Sequence, residues 1–237
     1  MLKLIIGNRT YSSWSLRGWL ACKLSGLPFD TEVIPMDTPA WENGAAKGLL
    51  PADKVPVLWD GDIAVWDSLA ITDWLAERAG NNGERERFWP ADPAASALAR
   101  SMTAEMHSGF QALRSACAMN LQRDYPDYTA PPEVLTDVAR IDALWTDART
   151  RVGDTAGNTG PFLFGAFSAA DVMYAPVATR CKTFGLPLSD IGAAYVAAVL
   201  AHPWLVEWTT AARAETYPFN RDYAKSAGGL MGGVPAR

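Results

Sequence analysis

Three serines crowd Tyr11-Ser12-Ser13-Trp14-Ser15-Leu16-Arg17, four residues after the apolar run LKLII. One hydroxyl at a strand-to-helix turn caps the helix by accepting from a backbone N–H that has no partner within the helix. A second is surplus to capping, and beside the positive end of a helix it can donate to an anion. A related cluster, Trp66-Asp67-Ser68-Leu69-Ala70-Ile71, opens another helical pattern. Its Asp or Ser serves as an N-cap. The same helix start and hydroxyl also suit a carboxylate, while the adjacent Asp can take an ammonium group. Those are the two charged groups of an α-amino acid.

These residues must be held by particular elements. Leu2–Gly7 reads as a buried strand, Ser13–Ser25 as a helix closed by Gly26, and Asp30–Pro35 as a second strand, which together predict a right-handed parallel βαβ unit. The segment TPAWENGAAKGLLP has room for a short irregular helix. PVLWDGDIAVW then carries two short β runs around Asp60-Gly61, a strong hairpin signal. Asp67–Ala79 completes the set as a helix, with Gly80 beyond its end.

Polar GNNGERERFWPADP interrupts the pattern, so residues 1–80 form one domain and 81–91 a linker. From 92 to 237 strand signals fade. Ala-rich periodic stretches near 92–124, 132–152, 169–184, 190–201 and 203–216 read as five helices, with a draped tail from about 218.

A net charge of −5 without a basic face argues against a nucleic-acid surface. Cys22, Cys117 and Cys181 are odd in number and widely spaced, which indicates neither a disulfide framework nor a zinc site. The apolar part of the N-terminus is too short for a signal peptide, and Pro203 cuts the most apolar later stretch before it could span a bilayer. A cytoplasmic, metal-free protein with no membrane partner is the expectation. Dinucleotide, P-loop, zincin and nucleophile-elbow motifs are all missing from the sequence.

The order βαβ, variable segment, ββα, then all helix, resembles the cytosolic glutathione transferase superfamily. Three patterns carry that resemblance. Lys54-Val55-Pro56-Val57-Leu58 is similar to the family's cis Val-Pro element, although Asp53 stands where the family has glycine. Asp67-Ser68-Leu69-Ala70-Ile71 is similar to its acidic-Ser-x-Ala-Ile element, and Gly165–Asp171 to the N-capping element of its helical domain, with Ser168 and Asp171 at capping-box spacing. Ser12-Ser13-Trp14-Ser15-Leu16-Arg17 resembles the zeta-class Ser-Ser-Cys-Ser-x-Arg, with Trp14 in place of the cysteine.

The resemblance implies a thioredoxin-like βαβαββα domain followed by an all-helical domain, acting as a transferase that ionises bound glutathione and adds it to a small hydrophobic electrophile. It implies Ser12 first and Ser13 second as donor to the thiolate, with Tyr11 as a rival and Arg17 as a source of positive field or an ion-pair partner. Lys54, Val55, Pro56, Asp67, Ser68 and Trp41 would hold glutathione, with Lys47 near its glycine end. Tyr11, Trp14, Met106, His107 and Phe110 would line the electrophile pocket. A homodimer is implied as well. The alternatives are a zeta-like glutathione-dependent isomerase and a non-catalytic protein that keeps the fold. A thiol transferase is disfavoured, because an indole occupies the position where it would need a thiol.

Overall fold

Strand β1 (Leu2–Ile6) alternates its side chains, and both faces of it are buried. Leu2, Leu4 and Ile6 join the large core, whereas Ile5 packs with Ile34, Leu50 and Val57 on the opposite face. A strand buried on both faces reads as a continuous apolar run, as LKLII does apart from Lys3. Lys3 pairs with Glu32 at the surface at 2.6 Å.

The computed structural model describes residues 1–36, 38–42, 48–81, 83–152, 159–217 and 234–236. Helix α1 (Ser13–Ser25) follows β1 and ends at Gly26, whose φ of 68° is the left-handed cap position glycine favours. Strand β2 (Phe29–Val33) returns parallel to β1, starting one residue and ending two residues before the Asp30–Pro35 strand of the sequence pattern. The short helix α2 (Pro39–Glu42) occupies the variable segment, and Lys47 lies outside the described residues. The hairpin β3 (Val57–Asp60) and β4 (Ile63–Val65) turns at Asp60-Gly61, and helix α3 (Ser68–Gly80) closes the layer. Sheet order is β2-β1-β3-β4, with β3 antiparallel to both its neighbours. This is the predicted thioredoxin-like layer.

Among the described residues the remainder is mainly helical. Helix α4 (Pro93–Ser108) starts on an Asp92 cap, and α5 (Gln111–Ala116) follows after a break. The continuous helix expected over 92–124 is therefore corrected to two helices and a non-helical stretch. Its physical reason lies at the break, where Phe110 has φ 58° and Gly109 leaves the helical region. Strand β5 (Arg123–Asp124) comes next, then α6 (Pro132–Asp147), which runs on into a π-turn at Ala148–Val152. Helix α7 (Ala169–Phe184) is buried almost throughout against α1, α4 and α8 (Asp190–Ala201), while α9 (Pro203–Arg213) packs on α8 and α1. The end of the tail pairs as β6 (Val234–Pro235), antiparallel to β5; residues 218–233 lie outside the described residues. Among the described residues no single helix is long and apolar enough to cross a membrane.

Among the contacts that hold the α/β layer against the helices are two made by α1. Arg17 on α1 donates from Nε to the Met173 carbonyl of α7 at 2.9 Å, and Trp19 of α1 meets Trp208 of α9 with ring centroids 5.4 Å apart. Within the layer, Gly18 lets α1 approach the strand entry closely. A Cβ there would lie 2.9 Å from Pro56 Cβ and Cγ, inside van der Waals contact.

Candidate active site

The turn between β1 and α1 sorts its serines by role. Ser12 has extended backbone (φ −83°, ψ 91°) and is the N-cap: its Oγ accepts from the Ser15 N–H at 3.2 Å and donates to Ser15 Oγ at 2.7 Å. Ser15 Oγ in turn accepts from the Gly7 N–H at 3.0 Å, tying the helix start to the end of β1. Ser12 and Ser15 thus form a closed pair. Ser13, the first helical residue, points elsewhere, and its Oγ accepts from Arg180 Nη2 on α7 at 3.2 Å. That bond leaves the Ser13 proton available to a third group.

Tyr11, Ser12, Ser13 and Trp14 line one wall of a cleft of about 400 Å³. Trp41, Asp53, Lys54 and Val55 extend that wall, and the facing wall comes from α5 and α7 through Gln111, Arg114, Ser115 and Arg180, with Met119 from the stretch after α5. The Val55–Pro56 peptide is cis, as the family resemblance implies. Asp53, which stands where the family has glycine, nonetheless adopts φ 51°. Aspartate tolerates the left-handed region better than most residues, because its short polar side chain bonds locally. Burial pushes the Tyr11 phenol up to about 12, with Tyr125 and Glu215 adding to the rise, so it remains a neutral hydroxyl at ordinary pH.

Three guanidinium groups surround Trp14. Those of Arg17 and Arg114 lie 4.6 Å from its ring centroid, and Arg180 reaches Ser13 beside it. Arg17 is fully buried, and its Nη1 and Nη2 have no hydrogen-bond partner among the described residues. Burial, then the charges of Arg180 and Arg114, lower its proton affinity well below the arginine norm. The ion pair considered for Arg17 is absent among the described residues; its anchor is the Met173 carbonyl. Arg180 is itself oriented by an Nε bond to the Cys117 carbonyl at 2.8 Å. Positive charge therefore outweighs negative around the serine turn, a field that favours an anion.

The Asp67 cluster sits next door. Asp67 Oδ1 accepts from the Leu69 N–H at 2.9 Å as the cap of α3, and Oδ2 lies 3.1 Å from His107 Nε2, within ion-pair distance. Ser68 Oγ is buried without a hydrogen-bond partner among the described residues. Asp67 opens onto a groove of about 520 Å³ between α3 and α4, where Trp66 and Thr103 also lie, and not onto the serine cleft. The edge-on contact of Trp14 with His107, centroids 5.4 Å apart, links the two sites.

The cleft thus brings together Tyr11, Ser12, Ser13, Trp14, Trp41, Lys54 and Val55. Pro56 packs beneath it on α1, while Met106 and Phe110 are buried core side chains off its walls. His107 meets Asp67 and Trp14 and does not line the cleft. Arg180 is missed by sequence reasoning, as are Gln111, Ser115 and Met119 on the same wall. It stands in a helix that is apolar almost all round, and no motif marks it. Among the described residues no cluster of His, Cys, Asp and Glu could hold a metal ion.

Residues 11–78 match the family described as glutathione S-transferase, N-terminal domain. No curated protein matches the chain in sequence. Among solved structures, a glutathione transferase homologue from Burkholderia with bound glutathione is 21% identical, with 90% of this chain and 99% of that one covered at a TM-score of 0.62. The apo form of human glutathione S-transferase T1-1 is 19% identical, with 97% of each chain covered at 0.62. A bacterial zeta-class maleyl pyruvate isomerase is 20% identical, with 90% and 99% covered at 0.61. Over the 90–97% of its length that these structures cover, the chain therefore has the fold of the glutathione transferases, and its residues 11–78 carry the sequence signature of that family's N-terminal domain.

Proposed function

We propose that this protein is a glutathione transferase that binds glutathione in the serine cleft, holds its sulfur as a thiolate through the Ser13 hydroxyl, and adds it to a small electrophile. The observation that carries this reading is the Ser13–Arg180 bond at the head of α1. Arg180 donates to the Ser13 oxygen, polarising the hydroxyl and leaving its proton for a sulfur in the cleft. Ser12, the first choice from sequence alone, already donates to Ser15 and suits the capping role better.

The magnitudes suffice. A free thiol ionises near pH 8.5. A hydrogen bond to a charged group contributes roughly 1.5–3 kcal/mol, or about one to two pKa units. The N-terminus of α1 adds about 0.3–1 kcal/mol. Together these bring the bound thiol close to neutrality without deprotonating the serine.

Val55 lines the cleft, and its backbone suits pairing with the cysteinyl part of glutathione. The γ-glutamyl end would extend out of the cleft into the adjoining groove, where Asp67 suits its ammonium and Ser68 with the N-terminus of α3 suits its carboxylate. The electrophile would lie against Trp14, Met119 and Arg114. Arg114 and Arg180 on that wall suit an electrophile bearing a carboxylate. A homodimer in the cytoplasm completes the proposal; light scattering of the purified protein tests the first part of it.

The same two arginines favour a second reading, a glutathione-dependent isomerase of an unsaturated acid. Its thiolate would add to the double bond and leave again after rotation. Product analysis separates the two readings, since a transferase product keeps glutathione and an isomerase product does not.

Retention on immobilised glutathione and thiolate difference absorbance test the main reading. Ser13→Ala should raise the bound thiol's pKa by about one to two units. Ser12→Ala should chiefly destabilise α1, by about 1 kcal/mol. No binding at millimolar glutathione would leave a non-catalytic protein that keeps the fold.

A further inference from the structure

The turn that carries the serines is gripped from the far end of the chain. Glu215 lies two residues past α9, its side chain only 7% exposed. Its Oε1 accepts from the Arg9 backbone N–H at 2.9 Å and its Oε2 from the Thr10 backbone N–H at 3.1 Å. The Thr10 hydroxyl sits 3.2 Å from Oε2, and Arg9 Nη1 lies 3.4 Å from Oε1. Those two backbone donors belong to the loop between β1 and α1, where neither strand nor helix can satisfy them.

Other contacts brace the same loop. The Trp208 indole donates to the Arg9 carbonyl at 3.1 Å, and the Thr10 carbonyl accepts from the Leu121 N–H at 3.2 Å. Gln122 fixes the far side of the grip by donating to the Ala212 and Glu215 carbonyls at 3.0 and 3.1 Å. What sets Glu215 apart is its bidentate hold on two successive N–H groups, which fixes the direction of the chain as it enters Tyr11, Ser12 and Ser13. A charged acceptor holds such donors roughly twice as strongly as a neutral one.

We infer that Glu215 is a positioning residue, whose carboxylate sets the β1–α1 turn so that the Ser13 hydroxyl faces the cleft. The inference rests on the reading of Ser13 as thiolate donor. Glu215 is not itself among the residues that line the cleft, and it grips the turn through Arg9 and Thr10. Glu215→Gln keeps the volume but puts an NH2 group against one of the two N–H donors. Donor then faces donor, and the turn must rotate away.

Two readouts test this on the full-length protein. Backbone amide exchange over residues 9–13 should rise about tenfold or more in Glu215→Gln, while the strands keep their protection. The pKa of bound glutathione should rise by about one unit, lowering kcat about tenfold with KM for glutathione within about twofold. A brace that only docks α9 would lower the fraction of active molecules and leave the thiol pKa where it was. Unchanged exchange over 9–13 in a folded Glu215→Gln protein overturns the inference, whether or not glutathione binds. Faster exchange in a protein whose wild type shows no bound thiolate would retain the grip and sink the Ser13 reading instead. Should Glu215→Gln fail to fold, Glu215→Asp withdraws the carboxylate by one methylene. Faster exchange over 9–13 is then expected, and exchange at the wild-type rate overturns the inference.

Discussion

Arg180 Nη2 donates to Ser13 Oγ at 3.2 Å, joining the seventh helix to the first turn of the first. The bond crosses between the α/β layer and the helical part of the chain, so the serine is oriented by a residue 167 positions away. Arg180→Lys keeps the charge but cannot hold both the Cys117 carbonyl and Ser13 in one fixed fork. It should lower kcat/KM for a carboxylate-bearing electrophile by about tenfold or more, since one charge-assisted bond is worth roughly 1.5–3 kcal/mol. A neutral aryl halide should lose less. Equal losses for both electrophiles would rule out contact between Arg180 and the substrate carboxylate.

His107 steadies Asp67 from the helical side at 3.1 Å, but the carboxylate is 53% exposed, so the pair is screened by water. His107→Ala should therefore raise KM for glutathione only modestly, about two- to fivefold, with kcat preserved. Asp67→Asn should cost more, because the lost charge is the one proposed to meet the ligand's ammonium. Steady-state kinetics with glutathione as the varied substrate separate the two; a larger effect at His107 than at Asp67 would reverse the assignment.

Asp171 offers a test by pH. Burial pushes its carboxyl up to about 6, against the opposing hydrogen bonds from the Leu163 N–H and from the Ser168 N–H and hydroxyl. The folded state thus binds a proton that the unfolded state, titrating near 4, has already released. The stability tied to that proton is fully present below about pH 4 and is lost as pH rises through about 6. In Asp171→Asn this slope should vanish between those limits. Urea titrations of both proteins across that pH range provide the measurement, and parallel pH profiles would refute the assignment.

Gly18→Ala sets two effects against each other. Alanine gains about 1 kcal/mol in helix propensity, but its Cβ meets Pro56 at 2.9 Å, and overpacking costs about 1–3 kcal/mol. The second effect should win, leaving a protein destabilised by up to about 2 kcal/mol. KM for glutathione should rise as Val55 is displaced. A stabilised variant with unchanged KM would mean that the helix start and strand entry yield freely.

Much of the architecture was legible because its signals are local. LKLII, the Asp60-Gly61 turn, Gly26 at the end of α1 and the Ser168–Asp171 capping box each announce themselves within a few residues. The break at Gly109-Phe110 was missed because the apolar periodicity runs on past it, while Phe110 adopts a left-handed backbone that no propensity predicts. His107 was legible as a candidate, but its partner was not. Helical spacing places it on a face without saying that Asp67 lies opposite.

By itself the sequence determined that serines open α1, that Val55-Pro56 precedes the hairpin, and that Asp67-Ser68 starts α3. Adjacent residues and their backbone preferences settle such matters. Only the tertiary structure decided which serine is which. Ser12 closes on Ser15 within its own turn, whereas Ser13 meets Arg180 and the turn itself meets Glu215, partners brought close only when α7 and the end of α9 fold onto the first strand and helix. Hydrogen bonds spanning 167 and 206 residues leave no trace in local spacing, because their donors and acceptors meet only after the chain has packed.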